Sequence, residues 1–274
     1  MIRAALTLCL LAAACGPEEP LSLRVMSYNV KGLDWNNGTL ATYPVAAQTA
    51  DLVTTVLAEA PDVIGIQEAW SETDGGSLAA ELSAATGLEH SHSSTTTRGW
   101  LPYVQQNVIL SRFPLLETAE LDLGPDPSSV ENRRFQLVRL DAPRGEICIG
   151  NVHLFTDRTL QLPALEAIAA FVAGRCPDAP LIFTGDFNLT PASEPYRYLT
   201  TSFTPHLTDP AVALGGDPQA RALFSSSAAS PHQRIDYIFV SDAVTPLTYR
   251  TVTSPIPDRT YPDHLPVSGT GELF

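Results

Sequence analysis

The stretch Leu181-Ile182-Phe183-Thr184-Gly185-Asp186-Phe187-Asn188-Leu189-Thr190-Pro191 decides how the rest of the chain is read. Its first four residues are apolar or β-branched and predict a short buried strand. Gly185 lets the chain turn, and Asp186 and Asn188 follow two apart. In extended backbone, side chains two apart point to the same side. An acid and an amide then share one face at a strand's end, where open α/β sheets bind ligands. The same pair could instead cap backbone in an Asx-turn, so the stretch needs support from elsewhere.

That support comes from the other strand ends. Residues 23–30 predict a strand that finishes in Ser27-Tyr28-Asn29-Val30, and residues 63–66 a buried strand followed by Gln67-Glu68. Residues 135–140 and 147–154 predict a pair joined through 141–145, the second carrying Asn151 and His153. Residues 235–240 predict a later strand that contains Asp236, and Pro262-Asp263-His264-Leu265-Pro266-Val267 leads into a last one. Each polar residue alone has a purely structural explanation. Asn29 could cap a turn, Glu68 could open a helix, His153 could be a satisfied core histidine, and Asp236 could pair with Arg234. Asp263-His264 could form a turn. One shared site is the more economical account of all of them.

Helices lie between some of these strands. Val45, Leu52, Val53, Val56 and Leu57 recur at helical spacing, and Pro61 ends that pattern. Residues 77–86 predict a shorter helix with Gly87 as its C-cap, and residues 160–172 a third that ends at Gly174. Further strands are expected over 107–110 and 247–252, whereas 34–42 and 88–107 read as loops. Strands outnumber helices and do not alternate regularly with them. The pattern predicts a mixed α/β architecture, with two sheets packed face to face and helices outside.

The chain has 274 residues, 44% of them hydrophobic, enough for one large core. No internal repeat or linker divides it, so a single domain is expected over 22–274. Residues 1–14 read as a signal peptide: Arg3, an apolar run too short to span a bilayer, then Ala12-Ala13-Ala14. Cys15 follows as in a bacterial lipobox, although Ala12 stands where leucine is usual, and residues 15–21 form a short tether. The expectation is an exported bacterial protein, anchored through lipid at Cys15 or free in the periplasm or medium. Cys148 and Cys176 would remain in the folded part, where an oxidising compartment allows a disulfide. A net charge of −14 lacks the basic footprint of a nucleic-acid binder. Bound divalent metal would offset that locally.

Carboxylate and amide oxygens without a cysteine or histidine cluster suit a hard cation, Mg²⁺ or Mn²⁺, better than zinc. Imidazoles beside such an ion move protons near neutral pH. The set suggests metal-assisted phosphoester hydrolysis.

In order, Met-Ser-Tyr-Asn29, Ile-Gln-Glu68, Asn151-Val-His153-Leu, Gly-Asp186-Phe-Asn188, Ile-Asp236-Tyr and Asp263-His264 closely resemble the endonuclease/exonuclease/phosphatase superfamily. This is the deoxyribonuclease I-like group, which also holds neutral sphingomyelinases and inositol-polyphosphate 5-phosphatases. The resemblance runs from about residue 22 to 270 and implies a four-layer α/β sandwich of two packed mixed sheets flanked by helices. It implies that Glu68 is the main metal carboxylate, with Asn29 and Asp263 near the same ion. Asp186 and Asn188 resemble the pair at the scissile phosphate, the attacking water or a second metal. His264, oriented by Asp236, resembles the imidazole that works on the water. His153 resembles the one that stabilises the developing charge or protonates the leaving oxygen, with Asn151 beside it in the cleft. Tyr103 and Arg133 or Arg134 stand where the family places its phosphate contacts.

Two departures bear on substrate. Gln105 stands where deoxyribonuclease-like members carry the acid that orients the second histidine, and Trp70 where they carry an arginine that reaches DNA. The resulting expectation is a divalent-metal-dependent phosphodiesterase, nuclease-like, acting on nucleic acid or on a phospholipid headgroup. No protein partner is implied and a monomer is expected. The alternatives are a sphingomyelinase-like or inositol-phosphate-type phosphoesterase and, from another class, a catalytically silent binding protein on the same fold.

Overall fold

The computed structural model describes residues 19–32, 45–97, 103–226, 231–254 and 263–273. The expected signal peptide, Cys15, the 34–42 loop and Pro262 lie outside these residues.

Parallel strands cannot be joined by a tight hairpin and need a crossover, usually a helix. The sequence supplies two. Strand β1 (Leu21–Asn29) is followed by helix α1 (Val45–Glu59) and strand β2 (Val63–Glu72), which pairs parallel to β1. After helix α2 (Leu78–Thr86) come the strands β3 (His90–Thr95), β4 (Tyr103–Ser111), β5 (Leu115–Pro125) and β6 (Asn132–Ala142). The second crossover runs from β7 (Gly145–His153) through α3 (Arg158–Ala173) to β8 (Leu181–Asp186), again parallel. Helix α4 (Glu194–Thr201), β9 (Leu207–Thr208), α5 (Pro210–Ala213), β10 (Asp236–Ser241), β11 (Thr245–Thr251) and β12 (Val267–Leu273) complete the described chain. One six-stranded sheet has the order β11-β12-β1-β2-β4-β3, the other β5-β6-β7-β8-β10-β9. All the remaining pairings are antiparallel.

The sheets pack face to face with helices outside, the four-layer sandwich expected. Leu52, Val56, Leu78 and Leu82 of α1 and α2 cover Met26, Tyr28, Ile64 and Ile66 on the outer face of the first sheet. Leu165, Ile168 and Val172 of α3, with Leu199 of α4, cover Phe135, Phe183 and Phe239 on the second. Between the sheets lie Leu23, Val25, Ile149, Ile182 and Ile238. Burial of this apolar area supplies the main folding force, at about 25 cal/mol per Å². Among the described residues, no helix is long and apolar enough to cross a membrane.

The inward face changes character along the strands. Because side chains alternate, the inward row of β7 reads Ile147, Ile149, Asn151, His153, and that of β8 reads Ile182, Thr184, Asp186. The row of β1 reads Leu23, Val25, Ser27, Asn29. Oil gives way to a buried amide layer, and that layer to the charged groups. In the amide layer Gln67 Nε2 donates to Asn151 Oδ1 at 2.7 Å, and Asn151 Nδ2 donates to Gln136 Oε1 and to the carbonyls of Ile66 and Val108. These bonds stitch the two sheets together directly beneath the site.

Two expectations are corrected. Residues 88–107 are not a loop: β3 and the first half of β4 occupy most of the described part. β5 was not anticipated either. β3 and β5 are the edge strands on the same side of the two sheets. A half-solvated edge needs polar side chains and is held by backbone bonds to one neighbour, so His-Ser-His-Ser-Ser-Thr reads as loop although it pairs throughout with β4. The cysteine pair does form a disulfide, joining Cys148 of β7 to Cys176 just after α3.

Candidate active site

Three neighbouring strands set the centre of the site in register. Asp186 of β8 lies opposite His153 of β7 on one side and opposite Asp236 of β10 on the other. Across the gap, the end of β1 presents Asn29, and an irregularity in the middle of β2 presents Glu68. Asn29 Nδ2 bridges the sheets, donating to Glu68 Oε1 at 2.8 Å and to Asp186 Oδ2 at 3.0 Å. His264, just before β12, closes the group: its Nδ1 lies 2.8 Å from Asp236 Oδ2 and its Nε2 3.7 Å from Asp186 Oδ2.

Local backbone features aim these groups. The β2–β4 register shifts between Ile66 and Ala69, and Glu68 sits inside that irregularity with φ 58. A bulge re-aims side chains and bends its strand, and a left-handed glutamate is uncommon enough to suggest function. Gln105 Nε2 holds the other carboxylate oxygen at 2.8 Å. Asn188 has φ 51, a conformation asparagine tolerates. Its backbone N–H donates to Asp186 Oδ1 at 3.0 Å and its Nδ2 to the Leu154 carbonyl at 3.0 Å. The Asx-turn is therefore real, and it also fixes the Asp186 carboxylate.

The electrostatics are those of an acid surplus. Burial, Glu131 and Asp263 push the Glu68 carboxyl up to about 8, against the pull of Asn29 and His264. Burial and Asp236 push Asp186 up to about 6, although His264, Asn29 and the Asn188 N–H favour its charge. Burial, Arg133 and His264 hold His153 well below its ordinary value. Burial opposes a charge on His264, but Asp236 and Asp186 outweigh it and hold the ring well above its ordinary value. Carboxylates that burial and mutual repulsion drive toward protonation suit a cation, which would restore their charge. Two triads bring ligand atoms within 4.8 Å of one another: Glu68, Glu131 and His153, and Asp186, Asp236 and His264. With Asp236 engaged by His264 and Glu131 beside His153, the carboxylate oxygens of Glu68 and Asp186 fit a divalent metal.

The structure brings Asn29, Glu68, His153, Asp186, Asn188, Asp236 and His264 together. Asp263 lies at the rim, half-exposed, with Lys31 Nζ 3.2 Å from its carboxylate. Asn29 turns its amide nitrogen, not its oxygen, to the acids. The substrate contacts expected from sequence fare differently. Asn151 is 0% exposed and serves the amide layer, not a cleft. Arg133 is 2% exposed and paired with Asp126 and Glu131. Arg134 is partly exposed, but bound to Glu120 and Asp122. Tyr103 pairs across from Glu72 and packs edge-on against the buried Trp70, at 6.3 Å between rings. Trp70 belongs to the core under α1 and α2. Arg234 pairs with Asp209 at 2.7 Å, which leaves Asp236 to His264.

Gln105, which the sequence marks as a departure at the site, grips Glu68. One site residue escaped the sequence reading: Glu131, whose Oε2 lies 3.3 Å from His153 Nδ1. An acid after Pro127-Ser128-Ser129 looks like part of a solvated turn, and nothing local in the sequence marks it as buried.

Residues 26–268 match the Endonuclease/Exonuclease/phosphatase family. The chain belongs to that family. No curated protein sequence matches it significantly. Among solved structures it is similar to an endonuclease/exonuclease/phosphatase from Beutenbergia cavernae, at 22% identity and a TM-score of 0.71, covering 92% of this chain and 72% of the other. It is also similar to a mannosyl-6-phosphatase from Bacteroides thetaiotaomicron, at 18% identity and TM-score 0.70, covering 92% of this chain and all of that one. The human Nocturnin catalytic domain, with a bound sulfate anion, matches at 20% identity and TM-score 0.68 over 92% of this chain and 95% of the other. At these identities the likeness is one of fold.

Proposed function

We propose that the chain is an exported, divalent-metal-dependent phosphodiesterase with nuclease-like chemistry. The observation that carries this reading is the row His153–Asp186–Asp236 in register across three strands, with His264 and Glu68 closing over it. A silent scaffold would have no need of two imidazoles and a surplus of buried acid at one strand end.

Glu68 would hold the cation, Mg²⁺ or Mn²⁺, with Asp263 and Asp186 near it. Bound there, such an ion would polarise the phosphate and offset charge on its oxygens. The remaining work falls to the chain's own groups. Asp236 accepts from Nδ1 of His264 and so turns Nε2 toward the centre, where that nitrogen takes or returns a proton. An imidazolium formed at His264 is stabilised by Asp236 beside it. His153 enters the site neutral, with Nε2 toward Asp186, placed to stabilise charge or hand a proton to the leaving oxygen. Asn29 and the Asn188 N–H hold Asp186 in one orientation.

The buried pairing of Arg133 and the tethering of Arg134 argue against a duplex gripped along its backbone. The fold shared with a mannosyl-6-phosphatase adds sugar phosphates to the candidates. Export rests on residues 1–15, and the Cys148–Cys176 bridge is consistent with an oxidising compartment.

The test is hydrolysis of bis(p-nitrophenyl) phosphate with Mg²⁺ or Mn²⁺, with and without EDTA. It is followed by a panel of single-stranded and duplex DNA, RNA, sphingomyelin, inositol phosphates and mannose 6-phosphate. Metal-dependent turnover of the diester supports the proposal. Turnover of phosphomonoesters alone would replace it with a phosphatase, and no turnover of any substrate would leave a binding protein. For the anchor, Cys15→Ser should release the protein from the membrane fraction; a wild type already free in the medium overturns lipidation.

A further inference from the structure

His153 and Asp236 sit on either side of Asp186, yet only one of the two imidazoles has a partner of the kind the resemblance led one to expect. His264 has Asp236. For His153 the matching acid is missing, because Gln105 occupies that place and spends its amide on Glu68. The chain fills the gap from another direction. Glu131, in the turn between β5 and β6, brings Oε2 to 3.3 Å from His153 Nδ1, whereas Glu68 Oε1 stands at 3.9 Å. His153 Nδ1 is buried and forms no hydrogen bond in this structure, and of the two acids beside it Glu131 is the nearer.

The carboxylate is itself held. Arg133 Nη1 reaches Glu131 Oε2 at 2.5 Å, and Arg133 Nε and Nη2 reach Asp126 Oδ2 at 2.9 and 2.8 Å. Asp126 Oδ1 accepts from the backbone and hydroxyl of Ser128, and the Asp126 backbone N–H donates to the Glu131 carbonyl at 2.8 Å. The Thr156 N–H, three residues beyond His153, donates to Asp126 Oδ2 at 3.3 Å. Glu131, Arg133 and Asp126 are all buried. Arg133 lies between the carboxylates of Glu131 and Asp126, so the buried arginine is compensated on both sides. A buried arginine so enclosed is not available to a substrate phosphate. It serves the acid.

We propose that Glu131 is the positioning residue for His153. It accepts a hydrogen bond from Nδ1–H, fixes the ring's orientation and tautomer, and leaves Nε2 facing the centre beside Asp186. Arg133 and Asp126 lock the carboxylate in place. The 126–133 turn thereby replaces, from a different strand, an acid that Gln105 no longer provides.

This inference rests on the phosphoesterase reading for its kinetic consequence but not for its geometry, and the experiment separates them. Histidine ¹⁵N-edited NMR on the full chain, with His153 assigned through His153→Ala, should show the Nδ1–H tautomer in the wild type. Glu131→Gln keeps the shape but lets an amide N–H face the ring, and should shift His153 toward the Nε2–H tautomer. Glu131→Asp should keep the wild-type tautomer in part. If turnover of bis(p-nitrophenyl) phosphate is found, Glu131→Gln should lower kcat by about 10–100-fold with KM little changed. In the His153→Ala background the same change should cost less than about twofold. A wild-type Nε2–H tautomer overturns the proposal. So does a His153 spectrum unmoved by Glu131→Gln in a protein that still melts cooperatively, or kinetic losses that simply multiply. Absence of turnover with the expected tautomers would overturn the functional reading and leave the positioning intact.

Discussion

His264 Nδ1 and Asp236 Oδ2 stand 2.8 Å apart, although 28 residues separate them in sequence and neither strand is the other's neighbour. The pair spans the sandwich: Asp236 begins β10 in one sheet and His264 precedes β12 in the other. That hydrogen bond orients the ring and adds a tie between the sheets beside the one from Asn29 to Asp186.

Asp236→Asn should hold the ring less well and favour the wrong tautomer, as in other acid–imidazole pairs. The two side chains should act as a unit. On kcat/KM, the double variant Asp236→Asn/His264→Ala is expected to lose little more than His264→Ala alone. Losses that multiply would show Asp236 and His264 acting independently.

Glu68→Gln keeps shape and removes the charge that would hold a cation. Turnover should fall by about two to three orders of magnitude, since a metal supplies several kcal/mol of transition-state stabilisation. Stability should move the other way. A carboxyl pushed up to about 8 is a burden on the metal-free fold, so Glu68→Gln should melt no lower than wild type in EDTA. Mg²⁺ or Mn²⁺ should raise the wild-type Tm by mass action and leave the variant's unchanged. An equal shift in both would place the ion elsewhere.

Much of this is legible in the sequence because a strand's period of two writes the inward row directly into it. Ile147, Ile149, Asn151, His153 can be read off as one face, and so can Ile182, Thr184, Asp186. What the period cannot give is depth. Asn151 and His153 share a face, but only the second reaches the open end, and the first is consumed by Gln67 and Gln136 of neighbouring strands. Arg133 misled for the same reason. An arginine in a polar stretch looks solvated until two acids from its own turn enclose it. The edge strand β3 is hidden because its pairing is carried by backbone between polar side chains, whereas β5 does show a period of two in Ala119-Glu120-Leu121-Asp122-Leu123, with Leu121 and Leu123 packed on the core.

The ion pair beneath His153 gives the fold an acid-sensitive element. Burial opposes charge on Asp126, but hydrogen bonds from Ser128 and Arg133, with the arginine's charge, outweigh it and bring the carboxyl from 3.8 to about 2. A folded-state value below the unfolded one adds stability that is complete above about 4 and is lost as pH falls toward 2. Urea unfolding from pH 6 to 2 should show wild type and Asp126→Asn separated at the upper end and converging at the lower. Curves that stay parallel would mean that Asp126 contributes by shape alone.

The disulfide ties β7, the strand of His153, to the end of α3. Cys148 and Cys176 are 28 residues apart, and on the chain-entropy account the closed loop stabilises by about 3–4 kcal/mol. Urea midpoints of wild type, Cys148→Ala/Cys176→Ala and wild type in reductant should place the last two together and well below the first. Intact mass after alkylation without reduction should show no free thiol at either position.

Gly65 tests the amide layer from the other sheet. A Cβ built there would lie 2.1 Å from Thr184 Oγ1 and 2.7 Å from Asn151 Oδ1, far inside contact distance. The two sheets approach closely at this point because one residue has no side chain. Gly65→Ala must displace Thr184, which donates to the Gly150 carbonyl at 2.9 Å, two positions from Asp186 on the same face. The expected cost is about 1–3 kcal/mol for overpacking, with a further loss of turnover as Asp186 shifts against Asn29. Thr184→Ala removes the nearest obstructing atom. In the Gly65→Ala background it should restore part of both losses, whereas alone it should destabilise by breaking the bond to Gly150. Simple addition of the two destabilisations would show that the steric conflict lies with Asn151 instead, and Asn151→Ala would then be the rescuing change.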